Sequence, residues 1–436
     1  MINLKKILVY VSIFIFIFQT SLEKIVSNSI IGYLDELFVF FILIIAIIKI
    51  IVNKEISNKS FKILILTIIF AISGLLPFVI NISNYDIKNI AEATLLSIKF
   101  LVIIFSFSII GIDRKTENYI IKAIDLFALL VMIVAIFNLL FPYQYEKIFK
   151  FAKVSHSSAI TPITSLFYHP GRYGWFMLFV GLMHFSLFKV SKKTKDIYLF
   201  ILFCIFAVLS IRAKVIFSIM IILIIELIIS KKIKTRYIIV AIISISILFS
   251  VFNEKITYTY QRYFSDKYYG TSARQALFKE SVNIIKDYFP FGVGFGMYGS
   301  WYARINYSPY YKKYHISTIY GLREEDATFA TDTYWPSIFG ETGFIGSIIL
   351  IYLLAFLIKT FYKYKKKYKN TFILNFALLA LVQSICESFG EPSFNSAPQY
   401  LFIGSVVGIA IYSIAKTKTI NNEGGFNENK IINEVS

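Results

Sequence analysis

Three arginines stand where an apolar chain has no structural need of them. Arg172 lies in Tyr168-His169-Pro170-Gly171-Arg172-Tyr173-Gly174. Arg212, with Lys214, lies in Leu209-Ser210-Ile211-Arg212-Ala213-Lys214. Arg274 lies near the start of a helical pattern that begins at Thr271. A guanidinium stays charged and donates two parallel hydrogen bonds, a geometry that fits phosphate oxygens. Charges beside hydrocarbon are costly, and they mark either a function or a paired partner. Arg274 also sits in a first helical turn, where the backbone dipole favours carboxylates. Each has a bland reading: headgroup snorkelling for Arg172, interfacial anchoring for Arg212 and Lys214, a solvated surface for Arg274. As a set at one membrane face, they point to a lipid-linked phosphate or pyrophosphate.

Aromatic residues crowd the same region, among them Tyr298, Trp301, Tyr302, Tyr311, Tyr334 and Trp335. Flat rings with a polar edge suit the C–H faces of sugars. An interfacial aromatic belt explains them equally well. Carboxylates at Asp332, Glu341, Glu387 and Glu391 close the region, and a carboxylate can take a proton from a sugar hydroxyl. Glu341 can also serve as a cap or ion-pair partner. His169 and His315 are weaker candidates for a base.

These residues need a scaffold, and composition defines it. The chain has 436 residues, is 57% hydrophobic and has a mean hydropathy of +0.67. Soluble domains average about 45–50% apolar. The apolar residues come in runs of roughly 17–24, enough for a helix to cross about 30 Å of hydrocarbon. They lack the alternation of barrel strands. The expectation is an all-α polytopic membrane protein with about twelve spans, near 4–20, 33–52, 61–81, 90–112, 119–142, 172–190, 196–211, 213–230, 236–252, 336–360, 371–389 and 397–415.

Lys and Arg cluster in every second turn, including Lys189–Lys195, Lys231–Arg236 and Lys359–Lys369. The positive-inside rule places these turns and both termini in the cytoplasm. It also accounts for the net charge of +19 without nucleic acid. Residues 253–335 then form one large extracytoplasmic loop between spans 9 and 10, within a single membrane domain covering 1–436. The polar segment 421–436 reads as a disordered cytoplasmic tail. Cys204 and Cys386 lie in apolar runs, and the four histidines have no ligand spacing, so no metal and no cofactor is expected. Within the loop, Ser272 and Gln275 fit a capping box, and Leu277, Ile284, Ile285 and Tyr288 share one face of a short amphipathic helix. Pro290 and Gly292 end it.

The order of these motifs resembles the O-antigen ligase/polymerase superfamily, which includes Wzy-type polysaccharide polymerases and lipid A-core O-antigen ligases. The resemblance covers nearly the whole layout. It rests on the arginine motif Tyr168–Gly174, the turn Leu209–Lys214, the stretch from Arg274 to Gly296 with its Pro-Phe-Gly-Val-Gly-Phe-Gly ending, and the re-entry Asp332–Gly346. In ligases a histidine typically stands nine residues before the re-entry glutamate. Here Asp332 stands there, followed by Thr333, which tilts the resemblance toward a polymerase. It implies a metal-independent glycosyltransferase in the plasma (inner) membrane. Such an enzyme joins polyprenyl-pyrophosphate-linked oligosaccharide repeat units on the outer face, among membrane lipid, with a chain-length regulator and a flippase as possible partners. Arg172, Arg212 and Arg274 would stabilise the leaving pyrophosphate, and Asp332 would act as acceptor-side base. Lys214, His169, Tyr173, Trp301, Tyr334 and Glu341 would bind substrate. The alternatives are a ligase passing finished glycan to lipid or protein, and a flippase or transporter. A transporter calls for charges deep in several spans, where Lys99, Asp125 and Glu226 are the main examples.

Overall fold

A computed structural model describes residues 4–26, 29–80, 86–150, 161–229, scattered positions between 243 and 265, 270–367 and 371–423. Among them there are helices and loops and no strand. The first part of the chain forms α1 (Leu4–Val26), α2 (Leu34–Asn53), α3 (Asn58–Ile80), α4 (Ile87–Ile110), α5 (Arg114–Leu140), a short α6 (Pro142–Ile148), α7 (Pro170–Ser191), α8 (Thr194–Val208) and α9 (Ala213–Ile229). Beyond the long loop's first part come α10 (Ala273–Asp287), the single turns α11 (Trp301–Ile305) and α12 (Pro309–Lys313), then α13 (Trp335–Lys367), α14 (Phe372–Glu387) and α15 (Gln399–Glu423).

Eleven of the expected apolar runs fall on a helix. The run near 236–252 and the basic turn Lys231–Arg236 lie mostly or wholly outside the described residues, as does the expected tail beyond Glu423. Among the described residues, seven helices are long and apolar enough to cross a membrane: α1, α3, α4, α5, α7, α13 and α15 to Thr417. Of the others, α2 keeps 20 residues, while α8 has 15 and α14 has 16, shorter than the sequence reading drew them because polar turns end each of them early. The perimeter is apolar: Leu37, Phe40, Phe41, Ile48 and Ile51 are each more than half exposed. A surface of that kind is stable in lipid and not in water, so this is a multi-pass membrane protein.

Inside the bundle, α4 packs against α2 and α15, α3 against α13, and α7 against α8 and α14. The charges read as lying within spans are all paired. Lys99 bonds Asp35 at 3.2 Å and Glu36 at 2.7 Å. Asp125 meets His184 at 3.1 Å. Glu226 pairs with Lys189 and lies 3.8 Å from Lys365. Each pairing lowers the cost of a charge in hydrocarbon.

The loop is tied to the bundle at a helix break. Gly343 has φ 60° and ψ −152° within α13, which frees carbonyls that a continuous helix would use. The loop takes them: Val293 N–H donates to Gly340 O and Gly294 N–H to Glu341 O, both at 2.9 Å. Phe295 N–H reaches Gly74 O of α3 at 3.1 Å. The Pro-Phe-Gly-Val-Gly-Phe-Gly run is therefore a docking strip. A Cβ on Gly292 would lie 2.3 Å from Gly340 O, and one on Gly343 would lie 2.4 Å from Gly292 N. Helix α10 lies over the bundle against α13, with Leu277 and Ile284 buried. It begins after Ser272 as expected, but Ser272 makes no side-chain cap. Gln275 instead donates to Ser265 O at 3.1 Å, so the capping box does not close.

Gly343→Ala is expected to destabilise the protein by at least about 2 kcal/mol, because left-handed strain and backbone overlap act together. Gly270→Ala meets nothing within 4 Å at φ +83° and should lose only the roughly 1 kcal/mol of conformational strain. Thermal unfolding of the two detergent-solubilised variants checks the difference.

Candidate active site

The first turn of α7 sets the geometry. His169 is its N-cap, with Nδ1 accepting the Gly171 N–H at 3.1 Å, and Pro170 fixes the next φ. The glycines of this turn admit the neighbouring α8–α9 connection. A Cβ on Gly174 would lie 2.5 Å from Ser210 Oγ, and one on Gly171 would lie 3.0 Å from Lys214 Nζ. The connection is tight: Ile211 takes φ +50°, an unfavourable region for a β-branched residue. That strained turn carries Arg212, and Lys214 follows in the first turn of α9.

Arg212 is half-buried, and its Nε has no hydrogen-bond partner among the described residues. Burial and then the neighbouring Arg274 push its pKa below the ordinary guanidinium value, opposed by Glu391 and Asp332. Two guanidinium groups thus face one another across the site. Arg274 is held by Asp332, Nη2 to Oδ2 at 3.1 Å. Arg172 donates to the Ala397 carbonyl and to Thr20 Oγ1 at 3.2 Å, joining α7 to α1 and to the α14–α15 turn. Lys214 pairs with Glu391 and lies 4.0 Å from Glu387 Oε2. Burial, then the charges of Arg212 and Lys214, hold the His169 imidazole down to about 3, so it is neutral at ordinary pH.

The structure therefore gathers Arg172, Arg212, Arg274, Lys214, His169 and Asp332 at one end of the bundle. The remaining residues read as substrate-binding are placed differently. Tyr173 and Tyr334 are buried, 0% and 2% exposed, and Tyr334 packs between Trp335 and Phe394. Glu341 is also buried. Its carboxylate accepts from the amides of Gly296, Met297 and Tyr298 and from the Ser300 hydroxyl. This is a clamp on the glycine strip. Trp301 is exposed, under the Arg304 guanidinium at 5.3 Å. It lies toward α4, where its neighbour Tyr302 bonds Glu92 at 2.8 Å. The loop tyrosines Tyr298, Tyr310 and Tyr311 form a small core of their own with Leu277 and Ile284, so they are neither a lipid belt nor a sugar platform.

Glu387 and Glu391 were legible as carboxylates at a span end, able in principle to take a proton from a sugar hydroxyl. Gln383, which donates to Glu387 Oε1 at 2.9 Å, and Gln399, which donates to Glu391, were not singled out. The readable signal was the four-residue spacing of Gln383, Glu387 and Glu391, which lines one helical face with polar groups.

The model of the O-antigen ligase family matches residues 197–351. This match supports the resemblance to the O-antigen ligase/polymerase superfamily. The matched O-antigen ligase segment carries Arg212, Lys214, Arg274 and Asp332, while Arg172, Glu387 and Glu391 come from flanking helices. No curated protein matches the chain.

A histidine with its folded pKa depressed below about 6.5 gives stability that is complete above that value. That stability is lost as pH falls toward about 3, because the unfolded chain takes up the proton first. The melting temperature should therefore drop between pH 7 and pH 4.5, with a smaller drop in His169→Gln. Between pH 6.5 and 8 the two proteins should show the same pH dependence of activity.

Proposed function

We propose that this protein polymerises polyprenyl-pyrophosphate-linked oligosaccharide repeat units on the outer face of the plasma (inner) membrane. The supporting observation is Arg212: a half-buried guanidinium with an unpartnered Nε, held by a strained turn beside a second guanidinium, Arg274. Such an arrangement is unfavourable until an anion sits between the two groups. A pyrophosphate leaving group supplies that anion, and its charge grows as the bond to the sugar breaks. Preorganised donors then favour the transition state over the ground state. The O-antigen ligase match supports lipid-linked glycan transfer at the family level.

In this reading Arg212 and Arg274 grip the pyrophosphate, with Lys214 assisting. Arg172 fixes the mouth of α7 against α1 and the α14–α15 turn. Asp332 positions Arg274, since the carboxylate that accepts from a guanidinium is a poor base. This shifts Asp332 from the acceptor-side role expected of it. The acceptor is the end sugar of an incoming repeat unit. The ligase reading shares this donor chemistry and differs only in the acceptor; the description of the matched family favours it, while Asp332 at the re-entry favours the polymerase.

Arg212→Ala, expressed at the wild-type level, should reduce turnover by about 10²-fold or more. On a gel of surface polysaccharide the ladder should collapse to single capped units, as in cells lacking the protein. Full-length polymer stranded on its lipid carrier would instead establish the ligase. An unchanged ladder in the Arg212→Ala strain would overturn the assignment of Arg212.

A further inference from the structure

Lys214 faces two carboxylates and pairs with one. Glu391 takes its ammonium and also accepts from Gln399. Glu387 Oε2, 4.0 Å from the ammonium, is buried and has no hydrogen-bond partner among the described residues. The other charged or titratable groups facing Glu391 are Arg172 on α7, His169 before it and Arg212 in the α8–α9 turn. The lysine stem runs through a slot bounded by glycines. A Cβ on Gly390 would lie 3.5 Å from Lys214 Cβ and Cδ, and one on Gly171 would lie 3.0 Å from Nζ.

Lys214 is two residues from Arg212, so an anion between Arg212 and Arg274 draws on the same ammonium as Glu391 does. One lysine cannot neutralise both. The competition is uneven, because a pyrophosphate carries more charge than a carboxylate and offers more acceptor oxygens.

We propose that Glu391 is a counter-ion latch that becomes the proton acceptor: the donor's pyrophosphate takes Lys214 from Glu391, and the freed carboxylate accepts the proton of the attacking hydroxyl. The inference rests on the glycan-transfer reading above. In the step, the acceptor O–H bond breaks and its proton passes to Glu391. The oxygen bonds to the anomeric carbon, and the bond from that carbon to the pyrophosphate oxygen breaks, with its electron pair leaving on the pyrophosphate. Burial acts to raise the Glu391 pKa, and Lys214 and Gln399 outweigh it in the resting site. Once Lys214 turns away, burial prevails and the carboxylate becomes a competent base. The latch therefore makes the base available only after the donor is bound.

The test uses the full-length protein in detergent micelles, with inorganic pyrophosphate as the binding probe and a polyprenyl-pyrophosphate-linked donor for turnover. Calorimetry near pH 6, with no acceptor present, in two buffers of different ionisation enthalpy reads proton uptake by the freed carboxylate from solvent, and turnover is read near pH 8, where that carboxylate stays ionised and can take the acceptor's proton. Wild type should take up about one proton for each pyrophosphate bound. Glu391→Gln should take up none and bind pyrophosphate about tenfold more tightly, since a competing counter-charge is gone. It should also turn over the donor about 10²-fold or more slowly, with partial recovery in Glu391→Asp. Unchanged proton uptake in Glu391→Gln overturns the proposal, as does weaker pyrophosphate binding with undiminished turnover, which would make Glu391 a mere anchor for Lys214. If Glu391→Gln does not fold, Gln399→Ala removes one group that stabilises the ionised carboxylate. It should move the acidic limb of the pH–rate profile upward, and an unmoved limb overturns the proposal. Wild type that takes up the proton on binding pyrophosphate yet turns over no polyprenyl donor supports the latch and overturns the glycan-transfer reading.

Discussion

Like charges held together at the edge of an apolar bundle are the constraint on which the rest of the structure depends. Arg212 and Arg274 face each other, with Arg172 and Lys214 close by. In a region of low dielectric their repulsion is severe unless it is offset locally. The resting protein offsets most of it from within: Asp332 holds Arg274, Glu391 holds Lys214, and the Ala397 carbonyl takes Arg172. Arg212 is the group left with an unpartnered buried nitrogen. An anion-binding site built in this way is partly satisfied by its own counter-ions, so ligand binding becomes an exchange of partners.

Holding that arrangement needs close backbone approach from several directions, and glycine provides it where side chains cannot. Gly171 and Gly174 let the α8–α9 turn press against α7, which brings Lys214 and Ser210 within contact of the helix start. The strip from Gly292 to Gly296 docks on the break at Gly343, where carbonyls released from α13 find new donors. Glu341 then closes the strip from below by gathering its amides. Because α10 is anchored through this strip, Arg274 is presented to Arg212 by a scaffold, although it lies in a long loop. The small tyrosine core around Tyr298 and Tyr311 adds stiffness.

The charges buried elsewhere in the bundle follow a different logic. Lys99 with Asp35 and Glu36, His184 with Asp125, and Glu226 with two lysines are paired within the bundle. They pin neighbouring helices together at fixed registers. Tyr400 adds to this by donating to Asp35 at 2.7 Å, immediately after Gln399, which serves Glu391. The start of α15 thus links the structural ion pairs to the candidate site through adjacent residues.

Sequence alone determined the solvent and the scaffold class, because the length and spacing of apolar runs report directly on a bilayer. It also located the basic turns, the long loop, and the arginines at Arg172, Arg212 and Arg274, since a charge at the membrane edge is conspicuous against an apolar background. It could not say which of those cations keeps a buried nitrogen with no hydrogen-bond partner among the described residues. That depends on contacts between residues as distant as Arg274 and Asp332, or Arg172 and Ala397, which leave no trace in local pattern. For the same reason it could not tell that Glu341 and Tyr334 are buried: a carboxylate and a phenol near a site look alike in sequence whether they face inward or outward. Tertiary structure also decided the surroundings of Glu391: a glutamate legible in sequence only as a carboxylate at a span end is placed by packing against Lys214 and Gln399, and local pattern does not encode contacts between helices.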